Sequence, residues 1–136
     1  MKRLLTLVAS LAVALTLLNL VAADTKPKAA DAGKRGPLVH MVSFKFKPEA
    51  GDAKVKEVET AFAALPGKIT QIMSFEWGTN ISPEKLDKGF THGFILTFKD
   101  AKDRDAYLVH PAHAEFGKLV GPALADVFVV DFLAKN

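Results

Sequence analysis

The residues best suited to chemistry in this 136-residue chain are its four histidines and its single tyrosine. Three of them lie in one short segment, YLVHPAH, as Tyr107, His110 and His113. An unperturbed imidazole has a pKa of about 6.5, so His113 can take a proton from a carbon beside a carbonyl at neutral pH. The Tyr107 hydroxyl can donate a hydrogen bond to the oxygen that becomes an enolate. These two side chains are candidates for an acid–base pair.

The spacing of this pair leaves its role open. Pro111 lies between Tyr107 and His113 and places them on different helical segments, so their convergence does not follow from the sequence. In the alternative, Tyr107 packs its ring against a sheet and His113 caps a helix end. His110 and His113 could also bind a metal with His92 as a third ligand. Because the chain has no established metal-binding motif, we expect neither a metal nor another cofactor.

The composition excludes several classes of protein. The chain has no cysteine, which excludes thiolate nucleophiles, disulfides and cysteine zinc sites. It also has no glycine-rich phosphate loop and no G-x-S-x-G nucleophile motif. From residue 38 onward, the chain has 12 Lys and Arg residues and 13 Asp and Glu residues. That part therefore has a net charge of −1, although the whole chain has +3. Without a clustered basic face, nucleic acid is a disfavoured partner.

The N-terminal residues have the pattern of a secretory signal peptide. Lys2 and Arg3 precede an apolar run over residues 4–20, and small residues end this segment at Ala23. We therefore expect a signal peptide at 1–23 and a secreted or periplasmic protein. In the alternative, the leader stays uncleaved and anchors the chain in a membrane. Residues 24–37 have no large apolar side chain and predict a flexible linker, followed by one domain at 38–136.

Hydrophobic periodicity predicts alternating strands and helices in this domain. Asp52 is the candidate cap of the first helix, and Pro111 separates the last two helices. The predicted order is β-α-β-β-α-β, which is the ferredoxin-like α+β fold with a four-stranded antiparallel sheet. The predicted strands are 38–46, 69–78, 90–98 and 126–133, and the predicted helices are 52–65, 100–109 and 111–120.

The two faces of the predicted sheet have different expected partners. One face packs against the helices, where an apolar pocket for a small molecule is predicted. In the alternative, the two histidines of that face are core residues with satisfied ring nitrogens. The other face is also apolar and has no element to cover it, which predicts a homodimer through the sheets. The predicted pocket residues are His40, Val42, Phe44, Val58, Phe62, His92, Phe94, His110, Phe116 and Leu124. The residues assigned to the uncovered face are Val39, Met41, Ile72, Ile95, Val127 and Val129.

Several segments resemble the stress-responsive A/B barrel (Dabb) domain. They are HMVSFKF, FEWGTNISPE, GFTHGFILTF, AYLVHPAHAEF and DVFVVDF, and the resemblance covers residues 38–133. It implies a homodimeric α+β barrel, often with a cavity between sheet and helices. A plant member of the family is a polyketide cyclase that closes its product by an aldol-type condensation. By motif, its catalytic pair corresponds to Tyr107 and His113, and it has further histidines at His40, His92 and His110.

Two functions follow from these observations. The first is an exported Dabb homodimer that binds a small apolar molecule without established catalysis. The alternative is a cyclase-like enzyme, or another acid–base lyase or isomerase, with Tyr107 as the acid and His113 as the base. A purely structural dimer module tethered by the leader is a further alternative.

Overall fold

The computed structural model describes residues 36–135, so the predicted signal peptide and most of the predicted linker lie outside the described residues. No helix within this range is long and apolar enough to cross a membrane. The strands are β1 (Leu38–Phe46), β2 (Ser74–Thr79), β3 (His92–Phe98) and β4 (Leu124–Leu133). The helices are α1 (Gly51–Ala63), α2 (Ala101–Leu108) and α3 (Pro111–Val120).

The strands form one antiparallel sheet in the order β2-β3-β1-β4. Alternate residues of β1 are buried, from Leu38 to Phe44, and the same alternation buries His92 to Phe98 on β3. The buried side chains face the helices, because strand neighbours point to opposite faces of a sheet. We refer to the other side of the sheet as the outer face. The predicted ferredoxin-like α+β fold is confirmed.

Local capping explains where α2 and α3 begin. The Asp100 side chain accepts a hydrogen bond from the Asp103 backbone N–H, and Pro111 occupies the first turn of α3. The first helix was placed less well by the sequence. It begins at Gly51 without a side-chain cap, so the prediction that Asp52 caps it is wrong. It also ends at Ala63, before a short 3₁₀ turn over Leu65–Gly67.

The second strand is shorter than predicted, because residues 69–73 form turns. The Ile69 N–H donates to the Leu65 carbonyl and the Ile72 N–H donates to the Ile69 carbonyl. Spacing of three residues points both isoleucines inward, and both are buried in the core. Ile72 was assigned to the outer face, and this assignment is wrong.

The two faces of β4 are reversed relative to the prediction. Asp131 pairs with His40 and Val129 with Val42, so both lie on the helix side. Phe128 pairs with Ser43 and therefore lies on the outer face, as do Val130 and Phe132. The segment VFVV is apolar at every position, so periodicity alone cannot tell its faces apart. The assignment of Val127 and Val129 to the outer face is wrong.

Candidate functional site

Most of the predicted pocket residues form an aromatic core between the sheet and the helices. The Phe62 ring centroid lies 4.5 Å from those of Phe94 and Phe116 and 5.7 Å from that of Phe44. Aromatic pairs of this kind contribute about 0.5–1.5 kcal/mol each beyond the burial of area. The other predicted residues of this layer are Val42, Val58 and the partly buried Leu124.

Tyr107 and His113 meet where α2 gives way to α3. Their ring centroids are 4.4 Å apart. The break at Pro111 allows this contact, because the chain changes direction between the two rings. Tyr107 is 1% exposed, and its hydroxyl makes no hydrogen bond to another residue within 36–135. The structure thus brings the two rings of the predicted pair into contact.

The hydrogen bonding of His113 defines which ring nitrogen can act as a base. Its Nδ1 lies 3.2 Å from the carbonyl oxygen of Leu108. A carbonyl oxygen only accepts, so Nδ1 must donate its proton there. In the neutral ring, the lone pair is then on Nε2. His113 is therefore held in the tautomer that offers Nε2 as the proton acceptor.

Three further side chains extend this cluster. The His40 ring lies 5.8 Å from the Tyr107 ring, between centroids. Its Nδ1 donates to Asp131 Oδ1 across 2.5 Å, since the two residues face each other on β1 and β4. The Arg104 guanidinium, on α2, donates to the other oxygen of the Asp131 carboxylate. Arg104 and Asp131 thus fix the orientation and tautomer of His40 beside Tyr107.

Burial sets the ionisation of this cluster. It lowers the pKa of His40, and the Arg104 charge lowers it further. Burial also lowers the pKa of His113; the Leu108 hydrogen bond opposes this, and His40 adds to it. Burial raises the pKa of Tyr107. At neutral pH the cluster therefore offers neutral imidazoles and a protonated phenol.

His92 lies away from this cluster. It pairs with Phe44, four residues along β1 from His40, which corresponds to about 13 Å of strand. Its Nε2 lies 3.0 Å from Glu59 Oε1 and its Nδ1 lies 2.8 Å from Thr91 Oγ1. Both ring nitrogens have partners, as in a buried histidine of the core.

His110 has a local role at the start of α3. Its Nδ1 accepts a hydrogen bond of 3.1 Å from the Ala112 N–H, so the side chain caps the helix. Residues 36–135 contain no group of three or more His, Cys, Asp or Glu side chains that could hold a metal ion. His92 and His110 therefore do not join His113 in a metal site within the described part of the chain.

Arg104 and Asp131 were not predicted as site residues from the sequence. Both left a signal in the sequence. Asp131 is the single charge within the apolar segment VFVVDFL, and Arg104 is the only arginine between residues 36 and 135. A charged side chain in an apolar strand needs a partner, and the cluster supplies one.

A separate groove of about 920 Å³ lies on the outer face, beneath the segment that joins β2 to β3. Gly78 and Gly93 are paired neighbours in this groove, and Phe128 also lines it. Two of the predicted pocket residues, His92 and Phe94, also border this groove along β3, although their buried side chains face the helices. Its volume is that of a small-molecule site, but it lies on the side of the sheet opposite to Tyr107.

Two curated plant proteins are similar to this chain over most of its length. The stress-response A/B barrel domain-containing protein HS1 of Arabidopsis thaliana is 34% identical over 98 residues, which is 72% of this chain and 90% of that protein. Olivetolic acid cyclase of Cannabis sativa is 26% identical over 97 residues, which is 71% of this chain and 96% of the cyclase.

A solved structure and a family model agree with these relatives. The structure is that of a dimeric ferredoxin-like protein of unknown function from Jannaschia sp. CCS1. It has a TM-score of 0.63 and 27% identity, and the match covers 71% of this chain and 98% of that one. The model of the stress responsive A/B barrel domain matches residues 38–134. The fold and these matches show that the chain belongs to the Dabb family.

Proposed function

We propose that this Dabb protein binds a small carbonyl compound and transfers protons on it, with His113 as the general base and Tyr107 as the hydrogen-bond donor. The observation that carries this proposal is the packing of the two rings, whose centroids lie 4.4 Å apart. In the described residues, the Leu108 carbonyl fixes the His113 tautomer, and the Tyr107 hydroxyl makes no hydrogen bond to another residue.

The reaction begins with removal of a proton. The His113 Nε2 takes a proton from the carbon beside the carbonyl, and the electron pair of that C–H bond moves to form the enolate. Tyr107 donates a hydrogen bond to the enolate oxygen and keeps its own proton, since burial raises its pKa. The enolate carbon then attacks a second carbonyl of the same molecule. The imidazolium of His113 returns its proton to the resulting alkoxide, which completes an aldol-type ring closure.

His40 acts as a positioning residue in this scheme. Its ring lies 5.8 Å from that of Tyr107 and is held by Asp131, which Arg104 holds in turn. His40 also lowers the pKa of His113, after the larger effect of burial, and so favours the unprotonated base. An apolar substrate is favoured, because aromatic rings such as Phe98 surround Tyr107. Similarity to olivetolic acid cyclase supports ring closure as the outcome of the reaction.

The decisive experiment measures proton exchange on carbon. A panel of small 1,3-diketones with alkyl or phenyl substituents is incubated with the protein in D₂O, and loss of the proton between the carbonyls is followed by NMR. We expect exchange above the buffer rate, and a loss of about 10²–10⁴-fold in His113→Gln, the usual contribution of a general base. His110→Gln is the matched control and keeps the rate. Equal rates for wild type and His113→Gln contradict the proposal.

The second candidate is binding of a small apolar molecule without turnover. The observation that favours it over turnover is the burial of Tyr107: the side chain is 1% exposed and its ring centroid lies 5.2 Å from that of Phe98, so the ring serves the core. Native mass spectrometry of protein taken from its own cells distinguishes the two functions. Bound small-molecule mass without diketone exchange supports binding alone, and exchange supports the acid–base function.

We further propose a homodimer in which the outer faces of two sheets pack together. Phe128, Val130 and Phe132 give this face an apolar strip that no element within residues 36–135 covers. The similar protein from Jannaschia sp. CCS1 is described as dimeric. Light scattering at about 10 μM protein, where a standard interface is occupied, is expected to give the dimer mass. A monomer mass contradicts this part of the proposal.

We also propose export through cleavage of the N-terminal segment. The support is the sequence alone: a basic start, the apolar run 4–20 and small residues before Asp24. N-terminal sequencing of the mature protein is expected to begin at Asp24. A mature chain that still carries residues 4–23 would instead support a membrane anchor.

A further inference from the structure

The outer face of the sheet has a bulky side and a small side. The strand register sets three rows across this face, each with one residue from β2, β3, β1 and β4 in that order. In each row, the residue on β4 is large and apolar, and the residue on β2 is small or polar. The rows are Gly78–Gly93–Ser43–Phe128, Glu76–Ile95–Met41–Val130 and Ser74–Thr97–Val39–Phe132.

These rows favour one orientation of the proposed dimer. A two-fold axis parallel to the strands, above the gap between β3 and β1, reverses each row onto itself. It lays β4 of one protomer over β2 of its partner, so that in the first and third rows Phe128 faces Gly78 of the partner subunit and Phe132 faces Ser74 of the partner subunit. An axis perpendicular to the strands, above the middle row, would instead lay β4 over β4 and β2 over β2, with Phe128 against Phe132 of the partner subunit and Gly78 against Ser74 of the partner subunit. That arrangement crowds one side of the interface and leaves a gap on the other.

We infer that Phe128 of each protomer inserts into the outer-face groove of its partner, above Gly78 of the partner subunit. This inference rests on the proposed homodimer and specifies its axis and its central contact. The groove then belongs to the interface, and two equivalent contacts form, one on each side of the axis. A second copy is the occupant because the same face carries both the protruding phenyl ring and the groove.

The exposed apolar area is sufficient for such an interface. Five large apolar residues of the outer face and the adjoining β2–β3 segment are 38–93% exposed. At about 200 Å² for a large side chain, they leave roughly 600 Å² per protomer in water. This is most of the roughly 800 Å² per partner that a standard interface buries. The five residues are Ile81, Leu86, Ile95, Phe128 and Phe132.

The two glycines of the groove are not required by the fold of the protomer. Neither Gly78 nor Gly93 has a positive φ, and a Cβ built on either meets no atom within 4 Å. A side chain at either position would point into the open groove. The absence of side chains is therefore explained by what enters the groove, and substitution at Gly78 tests the contact without disturbing the core.

The test exchanges the bulky and the small partner. Gly78→Phe fills the groove and Phe128→Gly removes the ring, so each variant alone is expected to dissociate about 30-fold or more readily than wild type. An equimolar mixture of the two variants has one native contact and one exchanged contact. We expect heterodimers in that mixture by native mass spectrometry, because the two chains differ in mass.

Phe132→Gly is the matched control for Phe128→Gly. It lies on the same strand and face but in another row, and it is expected not to form heterodimers with Gly78→Phe. If Gly78→Phe does not fold, Gly78→Val fills less of the groove and replaces it, with circular dichroism as the check on folding.

The outcomes separate this inference from the dimer itself. A wild-type monomer overturns the proposed dimer and the inference together. A wild-type dimer that Gly78→Phe leaves intact overturns the inference alone. Recovery with Phe132→Gly as well as with Phe128→Gly also overturns it, because the contact would then not be specific to the row of Gly78.

Discussion

Tyr107 combines a packing role with a chemical one. Its ring contacts Phe98 at 5.2 Å, His40 at 5.8 Å and His113 at 4.4 Å, between centroids. Burial of the ring stabilises the fold, and the same burial raises the pKa of the phenol and keeps it protonated. A protonated hydroxyl without a partner in residues 36–135 suits an oxygen that gains negative charge during a reaction.

Replacing this hydroxyl separates its two roles. We expect Tyr107→Phe to lower diketone exchange by about 10²–10³-fold, the effect of losing one donor to an oxyanion. The melting temperature should stay close to that of wild type, because the ring remains and the hydroxyl makes no hydrogen bond in the described residues. NMR exchange and a thermal melt measure both quantities. A fall of many degrees would instead assign the hydroxyl to stability.

The pH dependence follows from the lowered pKa values of His40 and His113. The unfolded histidines titrate at about 6.5, so between that pH and the lower folded pKa values the unfolded chain binds more protons. Stability is therefore complete above about pH 6.5 and decreases as the pH falls below it. The exchange rate should likewise rise with pH and level off, with a midpoint below about 6.5.

Urea unfolding at acidic and neutral pH, together with the pH profile of exchange, measures this dependence. His113→Gln should show a smaller loss of stability on acidification than wild type, because one of the two histidines is gone. If instead stability rose as the pH fell through this range, the two imidazoles would be stabilised as cations, and the sign of their pKa shifts would be wrong.

At the scale of the elements, the break between α2 and α3 brings the site together. Tyr107 and Arg104 lie on α2, and His113 lies on α3. The sequence predicted this break from the segment HPAH, since proline cannot continue a helix but starts a new one well. The site therefore depends on where these two short helices begin.

The Asp100 cap gives a measure of that dependence. Asp100→Ala removes the hydrogen bond from the side chain to the Asp103 N–H and should cost about 1 kcal/mol, the usual value for an N-cap. Lys102→Ala, an exposed change in the same turn, is the control and should leave stability nearly unchanged. Chemical denaturation measures both. Equal stability of the two variants would mean that the cap contributes nothing.

At the scale of the whole molecule, the two faces of β4 make a matched pair of variants. Val130 lies on the outer face and Val129 on the helix side, one residue apart. Val130→Asp should convert the proposed dimer to a monomer, because a buried, unpaired carboxylate is costly at an interface. Val129→Asp should leave the dimer intact. Light scattering measures the mass of each variant in solution. If Val129→Asp dissociated the dimer and Val130→Asp did not, the interface would lie on the helix side.

Much of the fold was predictable because its signals are local. Alternation in β1 and β3, the proline break before α3 and the order of elements all come from residues close in sequence. The predicted strand over 69–78 began too early. Ile69 and Ile72 are buried in the core like strand residues, but they lie in turns before β2. The prediction of which β4 residues lie on which face was wrong, because the segment VFVV is apolar on both sides of the strand.

The sequence by itself determined the fold class and the segment that carries Tyr107 and His113. Only the tertiary structure decided which histidines join them: His40 does, whereas His92 bonds to Glu59 and His110 caps a helix. The tertiary structure likewise decided that Asp131 pairs with His40 and Arg104. The physical reason is that helices and turns depend on neighbouring residues, whereas these contacts depend on strand register between residues far apart in the chain.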